Sequence, residues 1–205
     1  MRLTYTDQYE YLYTRNSLGY RCAEFDSILW NDSIAVFGCS EVFGVSVAED
    51  QTLTHYLSAL SGKPCINLGI PGGSNTTISL CVDFVYSVFA PRSGIVLWTS
   101  PYRYPYYSLR YHRYHEMTPV GCSQVEHVEQ RESYAAHMAD PLWIRKEFRS
   151  ARSRVASYGL AEYTVIGESW QAQVINSSVQ CTGLDSSHSA GARCEDIAAQ
   201  IVEYL

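Results

Sequence analysis

The chain is expected to fold as a three-layer α/β/α sandwich around a mostly parallel sheet. Three observations point there. Short apolar runs alternate with stretches of helical periodicity along the sequence, and right-handed crossovers turn that order into a parallel sheet covered on both faces. One run, Gly94-Ile95-Val96-Leu97-Trp98-Thr99, is apolar throughout instead of alternating, as a central strand buried on both faces requires. The 205 residues are enough for one domain with a full core.

The elements follow in order. Ser33-Ile34-Ala35-Val36-Phe37 is a buried strand closed by Gly38. From about residue 50 to residue 60, Leu53, Tyr56, Leu57 and Leu60 recur at helical spacing. Pro64-Cys65-Ile66-Asn67-Leu68 is the second strand, ended by Gly69. Thr76 to Phe89 carries Ile78, Leu80, Cys81, Phe84, Val85 and Val88, a helix that Pro91 stops. The run at 94–99 is the third strand. Residues 141–157 form a helix with Arg and Lys on its outer face, 161–166 a further strand, and 190–204 a last helix. In that helix Ile197, Ala198, Ile201 and Val202 face inward. Residues 1–205 are expected to be one domain, with 102–140 an irregular insertion near the functional edge of the sheet.

Composition narrows the function. Hydrophobic residues make up 46% and charged residues 18%, the balance of a globular chain and not a disordered one. A net charge of −6 argues against a nucleic-acid binder. Stacking of bases on the aromatic and basic residues of 102–114 is outweighed by that charge. No apolar run spans a bilayer, and the first residues lack the apolar core of a secretory signal, so a cytoplasmic protein with no membrane partner is expected. For the same reason the acceptor pattern Asn176-Ser177-Ser178 is set aside. Seven cysteines with no Cys-x-x-Cys pair read as reduced thiols, several of them core fillers, and not as a zinc site. His112 and His115 lack further ligands nearby, so no metal and no cofactor is expected. Six of the 17 tyrosines crowd into one segment, at Tyr102, Tyr104, Tyr106, Tyr107, Tyr111 and Tyr114. Prolines at 101 and 105 bar a regular helix or central strand there. Tyrosine faces suit a ligand wall or a subunit contact.

The stretch with most chemistry is Gly183-Leu184-Asp185-Ser186-Ser187-His188-Ser189-Ala190-Gly191, just before the last helix. With one turn between them, Asp185 reaches one ring nitrogen of His188 and leaves the other free to take a proton from a serine. The same residues also suit a plain helix start, with Ser187 or Ser189 as the cap and His188 exposed. In an open parallel sheet ligands sit at the carboxyl ends of strands. The loops expected there are 37–41, 67–75 and 99–103.

Four blocks in order resemble the SGNH (GDSL-type) hydrolases. Asn16-Ser17-Leu18-Gly19-Tyr20-Arg21 is similar to the lead-in of many members. Ala35-Val36-Phe37-Gly38-Cys39-Ser40-Glu41-Val42-Phe43-Gly44 resembles the nucleophile block, normally Gly-Asp-Ser before a hydrophobic residue and a glycine. Asn67-x-Gly69-x-x-Gly72 resembles the second block, and Asp185-x-x-His188 the last. The resemblance spans most of the chain outside its middle third. It implies a flavodoxin-like SGNH fold with a five-stranded sheet. It also implies Ser40 as nucleophile, His188 as general base and later acid, Asp185 as the group that orients the imidazole, and backbone N–H groups of Ser40 and Gly72 as oxyanion donors.

Two departures stand out. Cys39 replaces the aspartate of the first block, so this loop must be supported differently. The third block, usually Gly-x-Asn-Asp, is here Trp98-Thr99-Ser100-Pro101-Tyr102-Arg103 and has no Asn. Arg103 or Tyr102 is a candidate donor in its place, and Asn75 a weaker one. Arg103 equally suits an anionic substrate group or a stack among the tyrosines. The expected activity is a serine esterase on a small-molecule or carbohydrate ester, such as an O-acetyl group. The alternatives are a weakened binding protein of the same fold and an O-acyltransferase on the same triad. The sequence leaves the oligomeric state open.

Overall fold

The computed structural model describes residues 3–6, 12–108, 112–117, 131–132, 134–136, 140–164, 173–174 and 191–203. In chain order the strands are β1 (Leu3–Thr6), β2 (Leu12–Arg15), β3 (Ile34–Gly38), β4 (Cys65–Gly69), β5 (Ser93–Trp98), β6 (Tyr104–Ser108), β7 (Arg113–Met117), β8 (Ala161–Thr164) and β9 (Gln173–Val174). The helices are α1 (Ser40–Phe43), α2 (Leu53–Ser61), α3 (Asn75–Phe89), α4 (Pro141–Val155) and α5 (Gly191–Val202).

Five strands form one sheet in the order β4-β3-β5-β8-β9. Every neighbouring pair in it is parallel. The three-layer expectation holds, and the burial explains why. Successive residues of β3 and β5 point to opposite faces, and both faces are covered. Ala35, Phe37, Val96 and Trp98 pack with Ile78, Val82 and Val85 of α3 and Phe148, Ala151 and Val155 of α4. Ile34, Val36, Ile95 and Leu97 pack with Val42 of α1, Leu53 and Leu57 of α2, and Ile197, Ala198 and Ile201 of α5. A strand buried on both sides has no polar face to alternate with, hence the unbroken apolar runs.

Helix ends follow local chemistry. Ser74 Oγ accepts from Thr77 N–H at 3.2 Å at the start of α3, and Asp140 accepts from Leu142 N–H at 2.9 Å before α4, which opens on Pro141. The second helix starts later than its periodicity suggests. Residues 49–51 form a single 3-10 turn. Thr52 is extended there, and its hydroxyl accepts from His55 N–H at 3.2 Å, so α2 begins only at Leu53.

Within 102–140, expected to be irregular, β6 and β7 pair as an antiparallel hairpin. Pro105 is tolerated because this is a two-stranded ribbon, where a missing N–H can face away from the partner. The β1–β2 hairpin also has no counterpart in the sequence reading. Among the described residues no helix is long and apolar enough to cross a membrane. Cys22, Cys39, Cys65, Cys81 and Cys194 are free thiols, and Cys39, Cys81 and Cys194 are buried. Burial pushes the Cys22 thiol up to about 12 and the Cys81 thiol up to about 11, which keeps both protonated as packing groups.

Candidate active site

From β3 the chain crosses to β4 on one side and then to β5 on the other. The strand order therefore reverses between β3 and β5, the position at which open parallel sheets bind ligands beyond their carboxyl ends. Gly38 is paired with Gly69, and Phe37 with Val96. The loops that leave β3, β4 and β5 thus start at one level, on one edge.

Ser40 is the first residue of α1, directly past the end of β3, and is 5% exposed. Its hydroxyl lies 3.8 Å from the Cys39 thiol. Two glycines let this short helix settle onto the strand ends. A Cβ at Gly38 would come within 2.4 Å of Val42 Cγ2, and one at Gly69 within 2.1 Å of the Phe43 nitrogen. The C-terminal end of the helix and the turn after it are then held by two side chains. Asn67, buried on β4, donates from Nδ2 to the Val42 carbonyl at 2.8 Å and accepts from Gly69 N–H at 3.1 Å. Arg21, 2% exposed, donates to the carbonyls of Phe43 (3.2 Å), Gly44 (2.7 Å) and Val47 (3.1 Å). Its Nε pairs with the exposed Glu49 at 2.7 Å. The Arg21 guanidinium also lies over the Tyr13 ring, 4.8 Å from its centroid. This is the alternative support that a cysteine at position 39 demands.

The second loop turns at Gly72, whose φ of +78° is the left-handed region. A Cβ there would meet no atom of the described residues within 4 Å. Asn75 opens α3 and clamps the third loop. It donates from Nδ2 to the Thr99 carbonyl at 3.0 Å and accepts from Thr99 N–H at 2.9 Å. Arg103 reaches back to the second loop, with Nη1 3.5 Å from the Gly73 carbonyl. The Tyr102 carbonyl accepts from the Tyr134 hydroxyl at 2.6 Å. Ser40, Gly72, Asn75, Tyr102 and Arg103 therefore belong to the three loops of this edge. Asp185 and His188 lie outside the described residues.

Three residues of this edge are not singled out as functional candidates by the sequence. Arg21 is one and Thr99 another, its hydroxyl buried with no hydrogen-bond partner among the described residues. The third is Glu116 on β7. It accepts from the Thr77 hydroxyl and, at 3.5 Å, from the Ser74 hydroxyl in the first turn of α3. Burial pushes its carboxyl above the usual range, against the opposing pull of those hydrogen bonds and of the Arg103 charge. Its Oε2 is buried with no partner among the described residues.

Elsewhere, a depression of about 460 Å³ is lined by Asn31, Asp32, Ser33, Lys63, Arg92 and Ser93. These residues precede or open β3, β4 and β5, so it lies at the opposite, amino-terminal edge and plays no part in the site. Among the described residues no group of three or more His, Cys, Asp or Glu side chains could hold a metal ion.

Comparison with solved structures finds five similar chains, among them these two. One is a G-D-S-L family protein from Desulfitobacterium hafniense DCB-2, at 10% identity and a TM-score of 0.49, covering 85% of this chain and 100% of that one. The other is AlinE4, an SGNH-hydrolase family esterase, at 13% identity and a TM-score of 0.39, covering 67% of this chain and 60% of that one. No protein-family model matches the sequence, and no curated protein matches it.

Proposed function

We propose that the chain is a serine hydrolase that cleaves esters. The observation that carries this reading is the seat of Ser40. A buried serine stands directly past the end of β3, beside the point where strand order reverses, on a short helix locked by Arg21 and Asn67. A serine kept only for packing needs no such bracing.

In the proposed reaction Ser40 Oγ attacks the acyl carbon while His188 takes its proton. Asp185 fixes the tautomer of the ring and stabilises the imidazolium. The carbonyl oxygen becomes an oxyanion facing the N–H groups of Ser40 and Gly72, and each such donor contributes about 2.7–4 kcal/mol in comparable sites. His188 then gives the proton to the leaving alcohol. Water, activated by the same histidine, releases the acid and restores Ser40. The glycine at 72 supports its role, because only a residue free to adopt positive φ turns its amide this tightly. Arg103 and Tyr102 belong to the substrate side of the edge. The half-buried rings of Tyr102, Tyr104 and Tyr106 suit an acyl chain or a sugar face.

The test is hydrolysis of p-nitrophenyl esters from acetate to octanoate by wild type and Ser40→Ala. Wild type should turn over at least one ester, with about a 10³-fold or greater loss in the variant. The chain-length optimum sizes the pocket. Equal rates for the two proteins would remove Ser40 from the chemistry.

A further inference from the structure

An oxyanion can accept a third hydrogen bond beyond those proposed from the amides of Ser40 and Gly72, and neither Asn75 nor Arg103 is free of other work. Asn75 Nδ2 is bound to the Thr99 carbonyl at 3.0 Å, and Arg103 Nη1 is 3.5 Å from the Gly73 carbonyl.

We infer that the Thr99 hydroxyl is a catalytic hydrogen-bond donor to the developing oxyanion. The inference rests on the esterase reading given above. Four observations converge on it. The first is register: Phe37 of β3 is paired with Val96 of β5, and Ser40 and Thr99 each stand three residues beyond that pair. Adjacent strands run about 4.8 Å apart, so the segments that carry the nucleophile and the hydroxyl leave two neighbouring strands at the same edge of the sheet. The second is rigidity. Asn75 holds both the N–H and the carbonyl of Thr99, at 2.9 and 3.0 Å, so the main chain that carries this side chain is fixed. A donor fixed before the reaction needs no reorganisation when charge appears. The third is the hydroxyl itself. Thr99 is 4% exposed, and its Oγ1 has no hydrogen-bond partner among the described residues. A buried hydroxyl without a partner lowers stability, and valine would fill the same space without that penalty. The fourth is position in the chain. Thr99 lies in the third block, which lacks the expected asparagine.

No covalent step is assigned to Thr99. Its O–H donates to the oxygen as the C=O bond becomes C–O⁻, and the proton stays on Thr99 when the tetrahedral intermediate collapses.

The test uses the full chain and three proteins: wild type, Thr99→Val and Thr99→Ser. Each is assayed with p-nitrophenyl esters, labelled with a fluorophosphonate probe of Ser40, and melted. Thr99→Val should lower kcat about 10²–10³-fold with KM little changed, as loss of one oxyanion donor does. It should label more slowly, yet melt at or above the wild-type temperature. Thr99→Ser, which keeps the hydroxyl, should stay within about tenfold of wild type in kcat. An active wild type with an equally active Thr99→Val overturns this inference alone. So does a Thr99→Val that loses melting temperature and activity together, because that marks a packing role. A Thr99→Ser as slow as Thr99→Val overturns it too. A wild type that neither turns over an ester nor labels overturns both the esterase reading and this one.

Discussion

At Glu116 two electrostatic effects oppose each other. Its carboxyl lies against the first turn of α3, where the helix dipole and the hydroxyls of Ser74 and Thr77 favour the charged form. Burial disfavours that form and wins, so the group titrates above its ordinary range. The sign of the linkage follows. The folded chain holds this proton more tightly than the unfolded chain, so the Glu116 contribution is fullest below the unfolded pKa. It is lost as pH rises through the folded one. Glu116→Gln mimics the protonated group. Its melting temperature should match wild type near pH 4 and exceed it increasingly towards pH 7. A gap that does not change with pH would show that Glu116 does not titrate in this range. The same reasoning separates the two members of the Arg21–Glu49 pair. Arg21 is 1% exposed and Glu49 70% exposed at the side chain. Glu49→Gln should cost less than about 1 kcal/mol, as exposed ion pairs do. Arg21→Met strips the buried carbonyls of Phe43, Gly44 and Val47 of a donor and should cost about 3 kcal/mol or more. Urea unfolding of both variants checks the contrast, and equal losses would assign the effect to charge and not to the carbonyls.

At the scale of elements, α1 is a four-residue helix that cannot be stable on its own. It exists because neighbours satisfy its carbonyls and because glycines let it approach the sheet. Gly69 is the sharper constraint, since the clash there is with the backbone of Phe43, which cannot rotate away. Gly69→Ala should therefore destabilise by about 3 kcal/mol, the upper end for over-packing. It should also slow Ser40 labelling, because α1 must shift. A variant as stable and as reactive as wild type would mean that α1 is not seated against β4 as described. Gly72→Ala differs in kind: no atom of the described residues lies within 4 Å of the added Cβ, so among them its cost comes from the positive φ alone.

At the scale of the molecule, the sheet couples two cores that do not touch each other. Trp30 and Trp98 report on the face with α3 and α4, whereas Ile197 lies on the face with α2 and α5. Ile197, 1% exposed, should cost about 2–5 kcal/mol when cut to alanine. If both layers unfold as one unit, Ile197→Ala will lower the denaturation midpoint by the same amount in tryptophan emission and in far-ultraviolet circular dichroism. Separate midpoints would show that the two faces unfold independently.

What the sequence determined by itself is what short-range pattern controls. The apolar runs read at 33–37 and 94–99 specify strands buried on both faces, and the periodicity read at 76–89 and 141–157 specifies the helices over them, each within two residues of the observed bounds. The placing of Ser40 and Gly72 in loops past strand ends was legible because strand ends and the glycines that close them have local signatures. Tertiary structure decided the rest. Asn67, named for its place in a block, turns out to hold α1. Arg21, Thr99 and Glu116 acquire meaning only from partners 22 to 42 residues away in the chain. Hairpin pairing of 104–108 with 113–117 was hidden because its prolines and tyrosines read locally as a break. The physical reason is common to all of these. Propensity and periodicity act between near neighbours, whereas a desolvated charge or an orphaned hydroxyl is defined by whatever the fold packs against it.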